Sequence, residues 1–134
     1  MHCIVFLFII SLHCKLEVKY ISEKNMNTDN VKSQMRKGIL EYCILLILDR
    51  EPAYAPDIIR ILQEARLIVV EGTLYPLLTR LKNMNLLSYQ WIESTQGPPR
   101  KYYKLTPEGK GFLAELETSW DEISETINHL KRNN

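Results

Sequence analysis

The sequence predicts a mainly α fold with a small β hairpin: a winged helix-turn-helix followed by one long C-terminal helix. Three observations predict it. From Gly72 to Gly109 the pattern runs helix, strand, strand, helix. The hairpin within that stretch is basic, whereas the helix after it is acidic. That last helix also carries apolar residues at alternating spacings of three and four.

With 134 residues the chain suits one domain with a real but small core. Cys3, Cys14 and Cys43 make no even framework and no metal-ligand spacing. Cys43 lies in an apolar helical run, which predicts a reduced core residue in a cytoplasmic protein. His2, His13 and His129 form no cluster. The sequence holds no nucleophile elbow, phosphate-cradling glycine loop or convincing carboxylate pair. Gly109 and Gly111 flank Lys110 at a capped helix start, not after a strand. An enzyme is therefore not expected, and neither is a catalytic residue, a metal or a cofactor.

Residues 1–25 differ from the rest. Cys3 to Leu12 is almost wholly apolar but too short to span a bilayer as a helix. No Lys or Arg precedes it and no small-x-small cleavage site comes after it. Met26 begins a polar lead-in to an amphipathic helix, so 1–25 is expected to be a mis-started, non-functional extension rather than a membrane-directing segment. The organisation expected is then 26–106, a winged helix-turn-helix, and 107–134, a C-terminal dimerisation helix. No membrane partner is expected.

Val31 to Leu48 reads as the first helix, with Ile39 to Leu48 apolar on most sides and so expected to be buried on most sides. Asp49-Arg50-Glu51-Pro52 ends it. Pro56 suits the first turn of a second helix with Asp57 against its dipole. Ile58, Ile59, Ile61 and Leu62 form its core face, and it ends near Ala65 or Arg66. Leu67-Ile68-Val69-Val70 is a β-branched run able to add a small strand. Thr73 is expected to cap the third helix, with Pro76 at its third position. Leu74, Leu77, Leu78 and Leu81 make its inward stripe, and Asn85 suits the left-handed residue that closes it. Strands are expected at Leu86–Thr95 and Arg100–Leu105, split by Gln96-Gly97-Pro98-Pro99. In the second strand Lys101, Tyr103 and Leu105 share one face, and Arg100, Tyr102 and Lys104 the other. Tyr89 and Trp91 on the first are expected to be core. Thr106-Pro107 is a cap followed by proline at the first helical position.

A helix followed by a basic hairpin is how a winged helix-turn-helix reads the major groove and grips the flanking backbone of double-stranded DNA. The overall charge is only +1, but its distribution is uneven. Thr73 to Leu105 holds five cations (Arg80, Lys82, Arg100, Lys101, Lys104) against Glu93 alone, and so carries +4. The residues from Thr106 onward carry −3. DNA binding needs a local positive footprint, not a basic protein. Thr73, Tyr75, Thr79, Arg80 and Lys82 are the DNA-contacting residues expected on the helix, and Arg100, Lys101 and Lys104 on the wing. A merely solvated helix face and a charged, edge-protecting hairpin tip are the plainer alternatives. Tyr75 either packs on the scaffold or lends its hydroxyl to a phosphate. Arg80 or Lys82 reaches guanine or only phosphate. Lys32, Arg36 and Lys37 suit backbone contacts and a solvated helix start equally.

Leu113, Leu116, Trp120, Ile123, Ile127 and Leu130 form an unbroken seam of the coiled-coil kind. The chain offers no second long helix at its end to cover it, so a homodimer is expected. Trp120 would sit at the two-fold axis and fill the interface.

Glu71-Gly72-Thr73-Leu74-Tyr75-Pro76-Leu77-Leu78-Thr79-Arg80-Leu81, then Gly97-Pro98-Pro99-Arg100-Lys101-Tyr102-Tyr103-Lys104-Leu105-Thr106, then Gly109, resemble the PadR family of transcriptional regulators. The resemblance covers about Met26 to Leu130 and is to the short subfamily with one C-terminal helix. It implies a homodimeric, ligand-responsive winged-helix regulator, usually a repressor, acting on a palindromic operator. It also implies that the third helix is the recognition helix, that the last helix meets its mate and the partner's N-terminal helix, and that Trp120 is a place where a small aromatic or hydrophobic effector can be held. Two positions depart from the family pattern: Tyr54-Ala55-Pro56 where Tyr-Gly is frequent, and Asn85 where glycine is usual. The alternative function is a winged-helix interaction or ligand-sensing module without specific DNA binding.

Overall fold

The two helices that would form the helix-turn-helix end in the same way. A computed structural model describes residues 28–133. The expectations for residues 1–25, and for a start at Met26, lie outside the described residues. The chain divides into two compact units at Lys37 and Gly38. Of the first, the described part is residues 28–37, a helical stretch in which Lys32 Nζ lies 4.0 Å from Asp29 Oδ1. The second unit, from Gly38 onward, holds the sheet, the core and all later helices.

Helix α1 spans Thr28–Arg50, β1 Ala53–Tyr54, α2 Ala55–Glu64, α3 Glu71–Asn83, β2 Leu87–Ser94, β3 Gly97–Leu105 and α4 Pro107–Arg132. The sheet is antiparallel in the order β1-β3-β2. Helix α2 closes with Arg66 at φ 63°, whose N–H donates to Gln63 O while Leu67 N–H donates to Leu62 O. Helix α3 closes with Asn85 at φ 60°, with Asn85 N–H donating to Lys82 O and Leu86 N–H to Leu81 O. This paired closure satisfies end carbonyls and normally uses glycine at the left-handed position. Asparagine tolerates that position because its short polar side chain suits it.

The core is built from the second half of α1, from α2 and α3, the sheet and the start of α4. Ile44, Leu45, Ile58, Leu74, Leu78 and Leu81 are fully buried, with Leu62, Leu87, Tyr103 and Leu113 around them. Val69 anchors the α2–α3 turn, leaving Ile68 and Val70 exposed on either side of it. Leu77, Ile59 and Cys43 pack half-buried against this cluster. The apolar second half of α1 is buried along Leu40, Ile44, Leu45 and Leu48, while its other sides are half-covered within one chain.

Four expectations need correction. Residues 67–70 form no strand; the third strand is β1, which pairs Ala53 with Tyr103 and Tyr54 with Tyr102. The free edge of β3 could accept either segment, and Ala53–Tyr54 reaches it directly from α1. Helix α3 is capped by Val70, not Thr73, and begins a turn earlier at Glu71. Pro76 therefore lies inside the helix and removes the hydrogen bond that an N–H there would make to the Gly72 carbonyl. Gly97-Pro98-Pro99 belongs to β3 rather than to the turn, since Gly97 pairs with Ser94. Tyr89 and Trp91 are not core; Trp91 is 61% exposed.

The junction of α3, β2 and α4 is tightly tied. The Thr106 hydroxyl donates to Asn85 O at 2.6 Å and accepts from Gly109 N at 2.9 Å. Thr106 N–H donates to Leu86 O. A Cβ on Gly109 would collide with that same Leu86 carbonyl, so only glycine lets α4 approach this closely.

Candidate nucleic-acid interface

Helix α3 buries Leu74, Leu78 and Leu81 and turns Thr73, Tyr75, Thr79, Arg80 and Lys82 outward. The hairpin comes after Asn85 and lies alongside it. Two cations from different elements meet at one ring: Lys82 Nζ is 5.4 Å from the Tyr89 centroid and Lys101 Nζ is 3.9 Å from it. Lys101 also lies over Tyr103 at 5.2 Å and Trp91 at 6.0 Å. An ammonium over an aromatic face is attracted by the ring quadrupole while its other side remains hydrated. The end of α3 and the wing thus form one continuous basic surface.

A second meeting point lies at the start of α3. Tyr75 lines a cleft of about 440 Å³ with Tyr54 and Pro56 of the β1–α2 junction and Trp91, Pro98, Pro99, Arg100 and Lys101 of the wing. Arg100 stacks on Tyr54, 4.9 Å from its centroid, and Tyr54 in turn faces Tyr102 at 5.6 Å. Tyr75 also borders a shallower groove of about 700 Å³ with Thr79, Arg80 and Asn83, along the outer face of α3.

Six of the eight residues expected to touch DNA are therefore brought together in two connected places: Tyr75, Thr79 and Arg80 along α3, and Lys82, Arg100 and Lys101 around the wing aromatics. Thr73 is exposed in the first turn of α3, where its N–H donates to Val70 O. Lys104 pairs with Ser88 at the base of the hairpin and is not drawn into the cluster.

Arg80 has a partner that the sequence does not announce. Its Nη1 donates to Glu41 Oε1 of α1 at 2.8 Å. Glu41 is the one acid between Ile39 and Leu48, and a lone carboxylate in an apolar helical run needs a cation or donor nearby. That lone charge is the signal by which the contact could be sought. Tyr54 and Tyr42 are further residues that pattern reasoning misses. The Tyr42 ring lies 6.4 Å from that of Trp120, tilted by 38°. Burial, with Glu117 and Asp121 of α4 adding to it, pushes the Tyr42 phenol above its ordinary range. Burial also raises the Cys43 thiol, which is free.

The seam of α4 starts inside the core and leaves it. Leu113 is buried and Leu116 half-buried, whereas Trp120, Ile123, Ile127 and Leu130 are exposed. No group of three or more metal-ligating side chains occurs among the described residues. No described helix is long and apolar enough to cross a membrane.

A helix-turn-helix whose outward third helix is flanked by a basic hairpin defines the winged-helix class of transcriptional regulators. The family can be stated more closely. The profile of the transcriptional regulator PadR-like family matches residues 44–115, and the chain belongs to that family. Among solved structures it is similar to a PadR-like transcription factor from Bacteroides fragilis, with 76% identity over 75% of this chain and 98% of that one, and a TM-score of 0.65. A PadR family regulator from Eggerthella lenta shares 34% identity over 81% of this chain and 99% of its own, with a TM-score of 0.69. A PadR-like regulator from Bacillus cereus shares 39% identity over 72% and 95%, with a TM-score of 0.66.

Proposed function

We propose that this PadR-like regulator binds double-stranded DNA sequence-specifically as a homodimer, on a palindromic operator, and acts as a ligand-responsive repressor. The convergence of Lys82 and Lys101 on the Tyr89 ring carries the reading, because it joins the reading helix and the wing into one basic surface. Thr73, Tyr75, Thr79 and Arg80 enter the major groove, with Lys82 at the groove edge. Arg100 and Lys101 grip the backbone beside it, and Lys104 contributes at the hairpin base. The open apolar residues of α4 pack on the same residues of a second copy. That places two reading heads about 34–36 Å apart on one face of the duplex. An aromatic or hydrophobic effector binds at Trp120 and lowers affinity by favouring a different spacing of the two heads. Tyr42, against Trp120, links that site to α1.

The test is fluorescence anisotropy on DNA from upstream of the protein's own gene and on scrambled DNA, over a salt series. Binding at least about a hundredfold tighter to the native duplex and steeply weakened by salt is the expected result. Equal, weak binding to every duplex, including those enriched from a randomised pool, with Arg80→Ala and Arg100→Ala without effect, overturns it in favour of an interaction or ligand-sensing module.

A further inference from the structure

The contact between Glu41 and Arg80 ties α1 to the outward face of α3 at a single point. Its exposure is lopsided. The Arg80 side chain is 63% exposed and that of Glu41 only 23%. The Arg80 end is too open for the pair to add much to stability, although the mostly covered Glu41 carboxylate needs a donor there. Its geometry suits another purpose. One terminal nitrogen of the guanidinium is engaged, which leaves the rest of the planar fork free to donate to a bidentate acceptor. Arginine presenting two parallel donors is the commonest specific reader of guanine in the major groove. An unrestrained arginine instead samples many rotamers and loses that freedom on binding.

We infer that Glu41 is a positioning residue for sequence readout: it holds the Arg80 fork toward a base edge and away from the backbone. This rests on the DNA-binding reading above and adds a residue on α1 to it. The carboxylate also puts a negative charge close to the reading helix, which disfavours non-specific attraction to phosphates. Glu41 thus lowers binding to arbitrary DNA while raising discrimination.

The experiment uses the full chain and two duplexes: the tightest binder that the wild-type protein selects from a randomised pool, and a scrambled duplex of the same composition. Glu41→Met keeps the length of the side chain and removes the acceptor. It is expected to weaken binding to the selected duplex and strengthen binding to the scrambled one, cutting discrimination about tenfold. Glu41→Gln still offers an oxygen to Arg80 and is expected to keep most of the discrimination while binding both duplexes more tightly. Glu41→Ala replaces the Met variant if that one fails to fold. A purely structural role weakens both duplexes together and leaves their ratio unchanged, which overturns the inference. Arg80→Ala separates the two layers. If it lowers discrimination and Glu41→Met does not, Glu41 has no part in readout and the Arg80 contact stands. If Arg80→Ala leaves discrimination intact, the Arg80 base contact fails and the Glu41 inference fails with it.

Discussion

The two ends of helix α4 carry the same seam in different surroundings. At the start, Leu113 is 4% exposed, and Gly109 lies hard against the Leu86 backbone. Two turns on, Trp120 is 43% exposed, and Leu130 near the end is 61% exposed. Heptad spacing is continuous across the boundary, so the pattern alone does not distinguish what the chain itself covers from what it leaves exposed. The difference comes from tertiary reach: the start of β2 and the end of β3 lie beside the first turns of α4 and go no further along it. The first end stabilises the fold, and the second end is the surface through which we propose that two copies associate.

Four changes break or sharpen that contrast. Gly109→Ala has the largest expected effect, a loss of about 3 kcal/mol in denaturant unfolding, because the new Cβ meets backbone rather than a flexible side chain. Gly111→Ala, two residues later with nothing within 4 Å, is expected to be neutral or to stabilise slightly. Ile127→Glu should leave the core intact but disperse the proposed dimer, since each chain would give up about 2 kcal/mol of side-chain burial and gain a charge in the seam. Sedimentation equilibrium reads the mass; an unchanged dimer would remove the open end of α4 from the interface. Thr106→Ala loses both the helix cap and the bond to Asn85 and should cost about 1 kcal/mol, seen as a lower Tm with no change in association.

A further effect is a pH dependence at Tyr42. Burial first, then Glu117 and Asp121, hold its phenol above the ordinary value of 10.0. The unfolded chain ionises earlier. This contribution is fully present below pH 10 and is lost as pH rises through the folded value. Thermal melts from neutral pH upward should show it, and Tyr42→Phe should remove it. A Tyr42→Phe profile identical to that of the wild type at high pH would show that the phenol is free to ionise.

Sequence periodicity is most informative where one set of side chains decides the outcome. Leu74, Leu78 and Leu81 dictate the inward face of α3 because a helix cannot bury them without exposing Arg80 and Lys82. Thr106-Pro107 marks the start of α4 because a cap hydroxyl and a proline agree there. Asn85 announces its left-handed turn, but Arg66 does not, since its conformation comes from α2 closing over Leu62 rather than from its own side chain. The third strand escapes sequence reading because Ala53-Tyr54 has no strand pattern of its own and is held by pairing with β3. Hydrophobicity alone puts Tyr89 and Trp91 in the core; on the wing they instead hold Lys101, a role set by cross-strand neighbours such as the Trp91–Lys101 pair. The Glu41–Arg80 contact spans 39 residues and is a matter of packing between α1 and α3, beyond any local pattern.

The central claim is that two copies, joined through α4, read one face of a duplex with two copies of α3. Operator spacing tests it most directly. The affinity of the wild-type chain is measured for its selected palindrome and for the same sequence with about five base pairs inserted between the halves, half a helical turn. The account predicts that the insertion abolishes tight binding, and that inserting about ten base pairs recovers part of it. Equal affinity for all three duplexes would contradict it, because each reading head would then be binding alone.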